Sequence, residues 1–175
     1  LAAVEAFAAG CDAVTTGWDN VPLPALEAAA RGAALRPSAR AVAAAQDRLE
    51  EKRFLAGLGL AVAPFAAVED AATLAAALER IGTPAILKTR RLGYDGKGQA
   101  RIAAPEAAAA ALAALAGAPA ILEGVVAFRR EVSVVAARGL DGRVACFDPA
   151  ENLHEGGILR RSTVPAALSP TRATE

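Results

Sequence analysis

One fifteen-residue stretch constrains this chain more than any other: Ala85-Ile86-Leu87-Lys88-Thr89-Arg90-Arg91-Leu92-Gly93-Tyr94-Asp95-Gly96-Lys97-Gly98-Gln99. An apolar strand carries Lys88 and then enters a loop with three glycines in six residues. Glycine tolerates positive φ and lets backbone N–H groups approach an anion closely. Lys88, Arg90, Arg91 and Lys97 place four cations within ten residues, a density that suits a polyphosphate. The Gly-x-x-x-x-Gly-Lys-Ser/Thr pattern is absent, and so is Gly-x-Gly-x-x-Gly. An ordinary basic hairpin loop is the plainer reading of the same residues.

The remaining pattern reads as α/β. Gly10 closes a helix from Leu1 to Ala9, Asp12 to Thr16 reads as a short buried parallel strand, and Pro22 to Arg31 as a second helix. Ser38 caps a helix over Ala39 to Ala45, and Asp47 caps one running to Leu58 with Leu49, Phe54, Leu55 and Leu58 apolar. Glu69-Asp70 opens a helix to Ile81, Pro84 to Thr89 is a strand, and Ala100 to Ile102 is its hairpin partner. A helix over Pro105 to Leu115 and a strand over Pro119 to Glu123 follow. Strands then succeed one another: Glu131 to Arg138, Arg143 to Phe147 and Gly157 to Val164, with Asp141-Gly142 as a hairpin turn. The domain boundary is expected near Leu35 to Ser38, dividing residues 1–36 from 37–175.

Composition narrows the chemistry. Hydrophobic residues make up 54% of the 175, much of it alanine, so the core is smaller than that share implies. Lys plus Arg and Asp plus Glu both number 19, which gives no overall attraction for nucleic acid or an anionic membrane. No apolar run approaches the roughly 20 residues of a membrane helix. Cys11 and Cys146 are read as two buried free thiols in a reducing cytosol. With His154 the sole histidine, a two-histidine zinc site and a Ser-His-Asp triad elsewhere are both disfavoured. The chain opens on Leu1 and contains no methionine, which reads as a piece of a longer protein.

Collinear motifs then point to a family. Lys88-Thr89-Arg90-Arg91 with Gly93-Tyr94-Asp95-Gly96-Lys97-Gly98-Gln99 resembles the signature of the 5-(carboxyamino)imidazole ribonucleotide synthases, ATP-grasp ligases of purine biosynthesis. Asp47-Arg48-Leu49 through Lys52-Arg53-Phe54-Leu55, Ala63-Pro64-Phe65, Leu122-Glu123-Gly124 and Arg130-Glu131-Val132-Ser133 fall in the same order. Ala136 to Gly139, Asp148 to His154 and Gly157 to Arg160 complete the set.

The resemblance implies an ATP-grasp fold of two α+β subdomains, preceded by the end of a Rossmann-like domain. It implies that ATP and bicarbonate carboxylate 5-aminoimidazole ribonucleotide through carboxyphosphate, in a cytoplasmic homodimer. By position it assigns Arg48 and Lys88, with Gly93, Gly96, Gly98 and Gln99, to the ATP phosphates. Glu123, Gly124, Val125 and Val126 fall at the adenine hinge, and Glu131 at the ribose hydroxyls. Tyr94, Asp95, Lys97, His154 and Arg160 fall where the family handles carboxyphosphate and the aminoimidazole.

Plainer roles stand beside these. Arg48 can be solvated, Glu123 can pair with a neighbouring base, Glu131 can pair with Arg129 or Arg130, Tyr94 can be a packed aromatic, and His154 can be a structural donor. Lysine on an apolar strand, by contrast, needs an anion to justify its burial. The family's Tyr-Glu-Phe-Glu-Asn-Val-Pro run reads here Thr16-Gly17-Trp18-Asp19-Asn20-Val21-Pro22, so Gly17 and Asp19 replace two glutamates of the ribonucleotide loop. No metal ligand is assigned. The Asn-Glu segment that holds magnesium (Mg2+) in the family is expected beyond Glu175, and without it this stretch is expected to bind nucleotide poorly. Other ATP-grasp ligases, of the glycinamide, formyl or biotin-carboxylase type, and a non-catalytic nucleotide-binding domain are the alternatives.

Overall fold

The computed structural model describes residues 1–93 and 97–169. The chain forms two compact units, Leu1–Val125 and a second that begins at Val126. The first holds two separate cores.

The N-terminal core is built from α1 (Ala2–Ala8), β1 (Ala13–Val14), α2 (Leu23–Gly32), β2 (Ala34–Leu35) and α3 (Ala39–Gln46). Ala8, Leu26, Ala29, Leu35 and Val42 pack together at its centre. A Cβ on Gly32 would lie 2.6 Å from the Glu5 carbonyl and 2.7 Å from the Ala8 Cβ, so only glycine allows α1 and α2 this close. β1 and β2 pair in parallel on either side of α2. The parallel strand expected over Asp12 to Thr16 is therefore present, but it is not buried: Ala13 is exposed and Val14 half-buried. Its only neighbour, β2, is itself two residues long and covers little. Val42 of α3 lies beyond the Leu35–Ser38 junction yet packs with this first core.

α4 (Arg48–Gly57) starts at Asp47, whose carboxylate accepts from the Leu49 and Glu50 N–H groups. The second core is a four-stranded antiparallel sheet in the order β3-β6-β4-β5. Its strands are β3 (Phe65–Val68), β4 (Ala85–Thr89), β5 (Gln99–Ile102) and β6 (Ala120–Gly124). α5 (Ala71–Ile81) and α6 (Ala108–Ala114) cover one face. α5 opens with a reciprocal cap between Asp70 and Thr73 and stops at Gly82, whose φ of 83° suits glycine. Leu74, Ala77, Leu78 and Ile81 recur at helical spacing and meet Val68, Leu87, Ile102 and Leu122 of the sheet. Each fully buried leucine or isoleucine there contributes about 1.5–3 kcal/mol.

Alternation fixes what the opposite face carries. Ile86 faces Glu123, Lys88 faces Ile121 on one side and Gln99 on the other, and Phe65 faces Glu123. With Ala85, Leu87 and Leu122 turned to the helices, Lys88 and Glu123 share the second face.

In the second unit, β7 (Glu131–Ser133), β10 (Ala150–Glu155) and β11 (Ile158–Thr163) form one antiparallel sheet, and β8 (Ala136–Arg138) pairs with β9 (Val144–Cys146). The single strand expected over Glu131 to Arg138 is two strands in two sheets. Its β-branched run hides the switch between partners. β10 carries no strand signal, because Glu151, Asn152, His154 and Glu155 leave no apolar alternation. The Asp141-Gly142 turn closes β8 onto β9, with Gly142 at φ 82°. Cys11 and Cys146 are free thiols but not buried ones: Cys11 is half-buried and Cys146 exposed. Cys146 lies on the two-stranded β8–β9 ribbon.

Burial acts against the Asp47 charge, but the Arg90 guanidinium and the Leu49 and Glu50 N–H groups outweigh it and hold the carboxyl below its ordinary value. The folded form thus binds that proton less tightly than the unfolded chain. The stability involved is present above the ordinary carboxylate pKa near 4 and is lost as pH falls through the lowered one. Asp47→Asn, which still caps the helix, is expected to cost about 1–2 kcal/mol at pH 7. Melting temperatures measured from pH 6 to pH 2 should fall less steeply in the variant than in the parent. Parallel profiles would show that the Asp47 charge contributes nothing.

Candidate functional site

The exit of β4 is the most densely bonded place among the described residues. Arg48 donates to the carbonyls of Thr89 (2.9 Å), Leu92 (2.6 Å) and Gly93 (2.8 Å), and its own N–H meets the Arg90 carbonyl. Asp47 receives Arg90 through both carboxylate oxygens, at 3.0 and 2.7 Å. Arg91 donates to Gln46 Oε1 at 2.5 Å. Gln46 is 5% exposed, and its Nε2 donates to the Asp19 and Val21 carbonyls at 2.6 Å each. Arg90 and Arg91 therefore fasten the loop to the α3–α4 junction; the Arg90 charge is paired with Asp47, whereas Arg91 is exposed and meets a neutral amide.

The root of the loop is shaped for close backbone approach. Gly93 and Gly98 have φ of 76° and 68°. A Cβ on Gly98 would lie 2.8 Å from Thr89 Oγ1, and one on Gly93 would lie 2.9 Å from the Lys97 carbonyl. Thr89 Oγ1 is buried there with no hydrogen-bond partner among the described residues. A cavity of about 700 Å³ opens beside it, lined by Thr89, Arg90, Leu92, Gly93, Lys97 and Gly98. Tyr94, Asp95 and Gly96 lie outside the described residues.

On the sheet face opposite α5 and α6, Lys88 Nζ sits 2.9 Å from Glu123 Oε2. Lys52 of α4 approaches Oε1 of the same carboxylate at 3.6 Å. Glu123 is 8% exposed, and a carboxylate so buried needs its cations. The pair with a neighbouring base is thus real, and the base is Lys88 itself. Gln99 opens β5 opposite Lys88. Gly124 ends β6 and bonds the Pro64 carbonyl, and the Val125 N–H reaches Pro84 at 3.3 Å. Val126 begins the second unit.

Within that unit, Glu131 lies opposite Asn152 and Ser133 opposite Ala150. His154 Nδ1 is 3.2 Å from Glu131 Oε1. Asn152 donates to Ser133 and accepts from Ser162. The surface pairing weighed for Glu131 is not with Arg129 or Arg130: Arg130 reaches Glu151 at 3.3 Å. Phe128, Arg130, Glu131, Asn152, His154 and Arg161 help line a cavity of about 280 Å³. Arg160 is the unpaired residue of a bulge between β10 and β11, 3.9 Å from Glu155.

Lys52, Gln46 and the Asp47–Arg90 pair were not singled out as site residues. Partners 43, 45 and 71 positions apart leave no local signal, and Lys52 reads as one more charge on a solvated helix face.

An ATP-grasp domain model matches residues 53–175. Glycine-rich loop, basic strand and antiparallel sheet thus fall in the ATP-grasp family, to which this chain belongs. It is 51% identical over 169 residues to N5-carboxyaminoimidazole ribonucleotide synthase of Brucella melitensis, covering 95% of this chain and 47% of that protein. The crystal structure of N5-carboxyaminoimidazole ribonucleotide synthetase from Thermus thermophilus superposes with a TM-score of 0.89 at 44% identity, over 98% of this chain and 46% of that one. An Aspergillus clavatus N5-carboxyaminoimidazole synthase, crystallised with ADP and 5-aminoimidazole ribonucleotide, superposes at 0.89 and 26% identity, over 98% and 45%. The chain spans about half the length of the curated relatives it matches.

Glu123 is expected to couple more strongly to Lys88 than to Lys52. In urea-unfolding double-mutant cycles, Lys88→Met with Glu123→Gln should show about 1–3 kcal/mol of coupling. Lys52→Met with Glu123→Gln should show less. Equal or vanishing couplings would mean that the carboxylate is not held as described.

Proposed function

We propose that this chain is the nucleotide-binding half of a ligase that uses ATP and bicarbonate to carboxylate 5-aminoimidazole ribonucleotide in purine biosynthesis. What carries this reading is the end of β4. Lys88 stands paired on the sheet face opposite α5 and α6, and the next residue buries a hydroxyl that has no partner among the described residues, against two positive-φ glycines. The similarity to ribonucleotide synthases supports the choice of substrate.

In the proposed reaction, a bicarbonate oxygen attacks the γ-phosphorus of ATP, ADP leaves, and carboxyphosphate forms. Carboxyphosphate then breaks down to carbon dioxide and phosphate, and the ribonucleotide amine adds to the carbon dioxide with loss of a proton. The protein's task is to position the reactants, meet the phosphate charge and exclude water. Lys88 exchanges its bond to Glu123 for a phosphate oxygen, and Lys52 stays to compensate the buried carboxylate. The N–H groups of Gly93, Gly96, Gly98 and Gln99 cradle the phosphates. Arg48, whose donors engage the loop carbonyls, supports that cradle by fixing its root. Main-chain groups of Glu123 to Val126 meet the adenine edge, and Glu131, oriented by His154, accepts from the ribose hydroxyls. Tyr94, Asp95, Lys97, His154 and Arg160 serve carboxyphosphate and the aminoimidazole.

Among the described residues, no group of three or more His, Cys, Asp or Glu side chains converges as a metal ion would require. The magnesium that ATP chemistry would use is proposed to bind through the nucleotide phosphates and carboxylates of the full-length enzyme. No helix among the described residues is long and apolar enough to cross a membrane. A cytoplasmic homodimer completes the proposal.

In the full-length protein, ATP consumption should require both bicarbonate and 5-aminoimidazole ribonucleotide. Lys88→Met should weaken ATP binding by calorimetry at least about tenfold, the equivalent of one lost charge-assisted bond. ATP turnover indifferent to the ribonucleotide would overturn the substrate assignment, and an unchanged ATP affinity would remove Lys88 from the site.

A further inference from the structure

We infer that Gln46 is a positioning residue that holds the ribonucleotide-side turn at residues 19–21 and the root of the glycine-rich loop as one body. The inference rests on the proposed function for what each loop binds, but the link itself is geometric. Gln46 is among the most buried polar residues of the chain, at 5% exposure. Its amide nitrogen donates to the Asp19 and Val21 carbonyls, and its amide oxygen accepts from Arg91. Only this orientation of the amide satisfies all three bonds, since carbonyls can only accept and a guanidinium can only donate. A cavity of about 430 Å³ lies between the two segments, with Trp18, Asn20, Gln46, Arg48, Leu92 and Gly93 on its walls.

The link runs through main-chain carbonyls on the turn side. It is therefore indifferent to the replacement of two family glutamates by Gly17 and Asp19, which changes side chains only. The turn has internal order of its own: Thr16 Oγ1 donates to the Trp18 carbonyl, and Asn20 Nδ2 to Asp19 Oδ1. Val21 also packs against the first core, and among the described residues the side-chain hydrogen bonds that join the turn to the rest of the site come from Gln46. Arg91 in turn follows Arg90, which Asp47 holds, so a displacement of the loop root is passed through one amide to the turn.

Two substitutions separate the two ends of the link. Gln46→Glu keeps an acceptor for Arg91 but sets a carboxylate oxygen against two carbonyls, so it releases the turn alone. Gln46→Leu removes both ends. In the full-length enzyme, Gln46→Glu is expected to raise KM for 5-aminoimidazole ribonucleotide about tenfold, as for one to two lost bonds. KM for ATP should stay within about threefold, whereas Gln46→Leu should raise both. Thermal melts identify variants that fail to fold. A folded Gln46→Glu enzyme with unchanged ribonucleotide KM, or with both KM values raised alike, overturns the inference.

A wild-type protein that turns over neither substrate would overturn the functional reading instead. The link is then decided without ligand by Trp18 emission, identified by its loss in Trp18→Phe. A shift in both Gln46→Glu and Gln46→Leu, each of which removes the amide donor, supports the tether. Emission identical to wild type in Gln46→Glu overturns it.

Discussion

Gln46, Asp47 and Arg48 are consecutive, and each grips the chain where it leaves β4. Gln46 takes Arg91, Asp47 takes Arg90, and Arg48 takes the carbonyls of Thr89, Leu92 and Gly93. The geometry follows from a break in the helix. α3 ends at Gln46, Asp47 adopts an extended conformation, and α4 begins at Arg48. That extended residue lets three neighbouring side chains point at one short stretch, which a continuous helix would have spread around its axis at 100° per residue. The Asp47 carboxylate is used twice, capping α4 and holding Arg90. Charge-assisted bonds of this kind are short and directional, so they fix a glycine-containing segment that has little intrinsic order.

With the root of the loop fixed from α4, the sheet supplies the rest. One face is spent on the core with α5 and α6, and alternation puts Lys88 and Glu123 on the other. A carboxylate at 8% exposure would be costly alone, but two lysines compensate it. Two cations on one anion leave one of them exchangeable at lower cost than a simple pair would allow. This is the feature that makes Lys88 suited to meet a phosphate while Glu123 remains neutralised.

Much of this was legible in the sequence, and the limits have physical causes. The strand carrying Lys88, the glycine-rich loop after it and the helix opened by Asp70 were readable because their signals are local: alternation, glycine spacing and a cap. The roles of Arg90 and Arg91 were not. They read as free charge for a ligand, and only the tertiary fold brings Asp47 and Gln46 to them from more than 40 residues away. The strands after residue 130 defeated pattern reading for another reason. Their side chains are largely exposed on both faces within their own unit, so no apolar alternation marks their edges or the switch from β7 to β8. Cys146 was misplaced in the core by the same blindness to burial.

The loop root is held by the protein alone, ready before any ligand arrives. Amide hydrogen exchange of the nucleotide-free, full-length protein tests it directly. The Arg48 N–H bonds the Arg90 carbonyl, the Thr89 N–H bonds Gly98, and the Arg90 N–H bonds Pro119. Slow exchange is expected at all three without ATP, approaching that of core strand amides, with a marked acceleration in Asp47→Asn. Exchange at Arg48, Thr89 and Arg90 as fast as in an unstructured peptide, slowing only when ATP is added, would contradict it.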